Sequence, residues 1–149
     1  MRHIRSPAEY HGSEPSVFLA GGISGCPDWQ AEMVRLLKDV SWTLINPRRS
    51  RIDLADQKVA LEQIEWEHRH LRRAKLILFW FPQETICPIT LYELGAWTMT
   101  SKPLCIGVHP EYPRRFDVEV QTRLTRPELQ IVHSLEELAA AVQAAQKDP

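Results

Sequence analysis

Two glutamates stand where helical periodicity asks for apolar side chains, and carboxylates so placed are the groups of this chain best suited to chemistry. Glu93 lies in "ETICPITLYELGAW", four residues after Ile89, three before Ala96 and four before Trp97, which places it on an apolar face. In "ADQKVALEQIEWEHRHLRRA", Ala60, Ile64, Leu71 and Ala74 keep a core-facing rhythm, and Glu67 fills the position that completes it. The helix carrying Glu67 leads into the apolar stretch "KLILFWF", and the helix carrying Glu93 leaves it. Because the first of these runs antiparallel to the strand it feeds, Glu67 is carried roughly 10 Å back toward the strand's carboxyl end. Both acids are therefore expected at one rim. Burying an unpaired carboxylate costs on the order of several kcal/mol, so each needs either a partner or a use. The partner would be loop amides or an arginine of "NPRR". The use suggested by two carboxylates beside a small-ligand crevice is glycosidic chemistry, one acid attacking or stabilising the anomeric carbon while the other handles protons or orients the sugar.

The elements that must position these acids alternate in type. "SVFLA" is a short strand ending in "GGISG"; "PDWQAEMVRLLKDV" is a helix headed by Pro27 and Asp28. "WTLIN" is a strand stopped by Pro47, followed by the basic loop "RRSRID" and a helix from about 55 to 73. "KLILFWF", apolar on both faces, reads as a central strand. Pro88 opens the next helix, "PLCIGV" is a further strand, and "HPEYPRRFDVEVQTRLTRPE" reads as a long polar loop. "LQIV" is a short last strand before the amphipathic "SLEELAAAVQAA", with Ser134 and Glu137 spaced as a capping box. Residues 1–14 lack periodicity and read as a flexible tail, leaving one domain over 15–149. Alternating strands and helices imply an α/β fold: a doubly wound sheet of about five mostly parallel strands with helices on both faces. Ligands of such sheets bind outside the strands' carboxyl ends.

The candidate substrate contacts at that edge are Gly21, Gly22, Ser24, Asp28, Asn46, Arg48, Arg49 and Cys87. "GGISG" is neither GxGxxG nor a P-loop; its glycines either let backbone approach a ligand, with Ser24 as a donor, or simply make a tight turn. Asp28 is placed to cap the following helix rather than to touch a ligand. Arg48, Arg49 and Arg51 are a solvated charge run or a 5′-phosphate site. His68 and His70 of "EHRH" point to different sides of a helix, so no metal site is expected. Charged residues make up 25% of the 149 and the net charge is −1, which removes any general attraction to nucleic acid polymers or anionic membranes. The longest apolar run is too short to span a bilayer. Three separated cysteines without a CxxC pair, and no apolar leader at the start, point to the cytoplasm.

"VFLAGGISG", "DWQ", "NPRR", "QIEWE", "FWFPQETICPITLYELGAW" and "KPLCIGV", in this order and spacing, resemble the nucleoside 2-deoxyribosyltransferase-like family over about Val17 to Val120. The resemblance implies a flavodoxin-like fold and cleavage of the N-glycosidic bond of nucleosides or nucleotides without a cofactor. It also implies a nucleophile at Glu93, within "ELG", and a sugar-binding or acid/base residue at Glu67. The chain departs from the pattern at Cys87, six residues before Glu93, where relatives commonly carry Asp or Ser. It further implies a homodimer or larger homo-oligomer, since relatives complete their sites with a partner chain. Three activities follow from this likeness: transfer of deoxyribose between bases, hydrolysis of a nucleoside 5′-monophosphate, or nucleotide sensing without turnover.

Overall fold

The structure, a computed structural model, describes residues 1–49 and 55–147. Arg51 therefore lies outside the described residues. Six strands form one parallel sheet in the order β1-β3-β2-β4-β5-β6. They are β1 (Arg2–Arg5), β2 (Ser16–Gly21), β3 (Thr43–Asn46), β4 (Leu76–Phe81), β5 (Leu104–Val108) and β6 (Ile131–Val132). The helices are α1 (Trp29–Leu36), α2 (Gln57–Arg73), α3 (Pro88–Thr98), α4 (Arg115–Thr125) and α5 (Leu135–Lys147). Setting aside β1, the strand order is that of a flavodoxin-like sheet, with its switch point between β2 and β4.

Two apolar layers cover the sheet. Trp29, Met33 and Leu37 meet Leu138 and Val142 of α5 on one face. On the other, Trp66 and Leu71 of α2, Leu94 of α3 and Val118 of α4 pack on Phe18, Phe79 and Ile106. All six residues of "LILFWF" are buried, as expected of a strand covered on both sides. Crossovers that move one way along the sheet must use one face and those moving back the other. This sends α1 and α2 to opposite faces and sets the switch point at the carboxyl ends of β2 and β4, where ligands of such sheets bind.

Three expectations need correction. Residues 1–14 are not a loose tail, and they add an edge strand to the expected sheet. Arg2–Arg5 pairs in parallel with Thr43–Asn46 as an edge strand, and residues 6–15 cross over to β2 with Tyr10 fully buried in the α2–α4 layer. Only Ile4 of this strand faces the core, so its alternation is too short to register as a pattern. The stretch taken as a long polar loop contains α4, whose apolar face is reduced to Val118 with Thr122. Finally, α2 buries Gln63, Trp66, His70 and Leu71, while Ile64 is 63% exposed. The stripe is rotated by about one residue because the side facing the sheet also receives the crossover segment.

Candidate active site

The loop after β2 stands at the carboxyl end of that strand, beside the switch point. Gly21 is required there by close approach: a Cβ would come 2.4 Å from a Trp29 ring carbon and 2.5 Å from the Trp80 carbonyl. At Gly22 a Cβ would meet the thiols of Cys87 and Cys26 at 2.9 and 3.1 Å. Its carbonyl accepts from Trp29 Nε1 at 2.8 Å, Gln30 Nε2 at 3.4 Å and Arg48 Nη2 at 3.4 Å. Arg48 also donates to Gln30 Oε1 at 2.9 Å and to the Pro27 carbonyl at 3.0 Å, and it pairs with Asp28 at 3.2 Å. Asn46, at the end of β3, accepts from the Arg48 backbone N–H at 2.9 Å, an Asx turn that sets the arginine's direction. Asp28 caps α1 by accepting from the Ala31 N–H at 3.0 Å. Arg48, Asn46 and Asp28 thus brace the loop itself. Ser24 is exposed at its tip.

Opposite this loop, β4 passes to α3 through Cys87, whose φ of 52° is left-handed. A non-glycine residue in that region carries strain on the order of 1–3 kcal/mol. Pro88 then starts α3 without needing an N–H partner. Tyr112 ties the turn down by donating from its hydroxyl to the Ile86 carbonyl at 2.6 Å. Burial pushes the Cys87 thiol up to about 12, so it remains a neutral filler beside Gly22.

Glu93 lies one and a half turns into α3, partly buried, next to buried Thr90 and Leu94. Its expected neighbours Ile89 and Ala96 are exposed, so it shares the inner face with a different set of residues. Burial, and after it the charge of Glu67, push its carboxyl up to about 8. Glu67 exerts that effect from α2, the helix that leads into β4. Burial raises Glu67 as well, opposed by a hydrogen bond from Gln63 and by the charge of Arg49. The Gln63 amide donates to Glu67 Oε1 at 2.7 Å. Of the two, Glu93 keeps its proton to the higher pH, since the Gln63 hydrogen bond and the Arg49 charge favour the Glu67 anion.

Arg49 reaches the same region from the β3–α2 loop. Its side chain is only 10% exposed; it donates to Ser6 Oγ at 3.1 Å and to Glu62 at 3.4 Å. Among the described residues its Nη2 has no partner. Ser6 and Gln63 were not among the expected site residues. Gln63 could have been found, since it lies one helical turn before Glu67. Ser6 sits in a segment without periodicity and left no such signal. Among the described residues, no three His, Cys, Asp or Glu side chains cluster as metal ligands do, and no helix is long and apolar enough to cross a membrane.

A parallel sheet with this strand order defines a flavodoxin-like α/β protein, and the helices before and after β4 each carry a carboxyl raised by burial. The family model described as nucleoside 2-deoxyribosyltransferase like matches residues 14–112. The chain belongs to that family, whose members are generally glycosyl-transferring enzymes. No curated protein matches it.

Proposed function

We propose that this protein cleaves the N-glycosidic bond of a (deoxy)nucleoside through Glu93 and passes the sugar to a second base. The observation that carries this reading is the pair of partly buried carboxyls on helices flanking β4, one raising the other. In the first step the Glu93 carboxylate, with C1′ within about 3–3.5 Å, bonds to C1′ as the C1′–N bond breaks. The dyad's proton leaves through Glu67 to the departing base nitrogen, so the base departs neutral and a glycosyl ester remains. In the second step a nitrogen of the acceptor base attacks C1′ and returns a proton to Glu67. The ester bond breaks, and two inversions give net retention. The raised carboxyl of Glu93 suits this cycle, because its anion is poorly solvated and gains by bonding to an electron-poor carbon.

A second reading is hydrolysis of a nucleoside 5′-monophosphate, with water in place of the acceptor. It is favoured by the nine-tenths-buried Arg49, whose planar guanidinium matches a phosphate. A homo-oligomer belongs to the same proposal. Its support is the set of exposed apolar side chains on the α2–α4 layer, Ile64, Ile89, Tyr92, Met99, Phe116 and Leu124.

Incubation with a panel of deoxynucleosides and nucleoside monophosphates, with and without a free base, tests the proposal. Exchange that requires the acceptor supports transfer, and base release without it supports hydrolysis. Saturable binding with neither would leave a sensor and defeat the enzymatic reading. Glu93→Ala is expected to abolish turnover while the protein stays folded; retained turnover would remove Glu93 from its role.

A further inference from the structure

The crossover between β1 and β2 lies mostly outside the matched region, yet it is bound along one face of the helix that carries Glu67. Four residues of α2, spaced 3, 4 and 3 apart, hold it. Gln63 accepts from Ser6 Oγ at 2.8 Å, Trp66 Nε1 donates to the Ala8 carbonyl at 3.1 Å, and His70 Nε2 accepts from the Tyr10 N–H at 3.1 Å. Arg73 donates to the Tyr10 carbonyl. Ser6 is itself anchored, its N–H donating to the Asn46 carbonyl at 3.0 Å. Ser6 and Gln63 are both buried, at 5% and 6% exposure.

The directions of the hydrogen bonds in this group are consistent along its length. Arg49 Nε can only donate, so Ser6 Oγ accepts from it at one lone pair and gives its own proton to Gln63 Oε1. The Pro47 carbonyl at 2.9 Å accepts, as does Glu67 Oε1 at 2.7 Å, so the Gln63 nitrogen faces both and its oxygen is left for the serine. A flipped amide would set an oxygen against both a carbonyl and a carboxylate and would take away the acceptor of the serine proton. Each donor in the chain polarises the next, and the chain ends on the acid whose charge raises Glu93.

We propose that the N-terminal segment is a working part of the active site: Ser6 fixes the orientation of the Gln63 amide, and Gln63 in turn holds the Glu67 carboxylate in place. Ser6 and Gln63 are positioning residues, and their effect on turnover rests on the reading of Glu67 as the proton-handling partner of Glu93. Arg49 is the charged group that acts on Glu67 from a neighbouring element, and Glu67 in turn acts on Glu93.

The test uses the full chain with carboxyl-13C glutamate and compares wild type, Ser6→Ala, Ser6→Thr and Gln63→Leu, with Glu67→Gln to assign the Glu67 signal. Ser6→Ala and Gln63→Leu are expected to move the Glu67 titration midpoint upward by about half a pH unit or more. They are also expected to lower kcat by about tenfold with KM within about twofold of wild type. Ser6→Thr keeps the hydroxyl and is expected to restore both. Should Ser6→Ala not fold, Gln63→Leu and the threonine variant still decide the point. An unchanged Glu67 midpoint in a folded Ser6→Ala or Gln63→Leu variant overturns the positioning role. If wild type turns over no substrate while the midpoints shift as expected, the positioning stands and the enzymatic reading fails instead.

Discussion

Replacing Glu93 by Gln should make the protein more resistant to alkaline conditions, and the size of the effect follows from its surroundings. Burial and the charge of Glu67 lift its carboxyl from an ordinary 4.5 to about 8. The folded chain therefore binds that proton more tightly than the unfolded chain. This contribution to stability is complete below 4.5 and is lost as pH rises through about 8. At about 1.36 kcal/mol per pH unit the full loss approaches about 5 kcal/mol. Partial exposure of the side chain lets water and salt screen the anion, so about 2–4 kcal/mol is expected between pH 5 and pH 9. Glu93→Gln has the same shape and nothing to ionise, so it removes the pH-dependent part and leaves a constant offset. Urea unfolding of both proteins at pH 5, 7 and 9 reads the difference directly. Wild type should fall behind the variant steadily as pH rises. Two stability curves that stay parallel within about 0.5 kcal/mol would refute the claim that Glu93 is held protonated by its environment.

Three further outcomes follow from the site. If the one-proton form of the acid pair is the reactive one, kcat/KM falls as pH rises through about 8; a rise through the same range in a pH–rate profile would show that both acids must be ionised. Gly22→Ala sets a methyl group 2.9 Å from Cys87 Sγ and 3.1 Å from Pro82 Cγ, and should cost about 1–3 kcal/mol in urea unfolding. Cys87 and Cys105, buried with thiols pushed up to about 12, should resist iodoacetamide at pH 8 in the folded protein. Labelling at Cys26 alone, read by peptide mass, is the expected pattern.

What could be read before the structure was whatever rests on long apolar patterns. β4 announced itself because six consecutive apolar residues have no other comfortable place than the middle of a covered sheet. The alternation around it carried the parallel topology. Glu67 and Glu93 stood out as charges in the wrong company, although the apolar neighbours credited to them were partly mistaken. Ile64 and Ile89 are exposed, and the faces that the two acids share are built from Gln63, Trp66, His70, Thr90 and Leu94. Buried Gln, His and Thr look polar to any periodicity count; their burial depends on hydrogen bonds from elsewhere in the chain, and a local pattern does not contain those. The same reason hid β1 and α4. A four-residue edge strand with one core-facing side chain, and a helix with one buried valine, are settled by tertiary neighbours. Arg48 shows the limit from the other side. Its charge allowed either a solvated run or a phosphate site, and the structure sets it to bracing the loop after β2.

That bracing has a consequence for recognition. With the Gly22 carbonyl taking three donors and Arg48 and Asn46 already engaged with their own loop, this side of the switch point is preorganised. A ligand bound there would meet a mould rather than a flap, and little ordering entropy would be lost on this side. Discrimination between ligands should then show itself as steric refusal, sharp against an extra substituent.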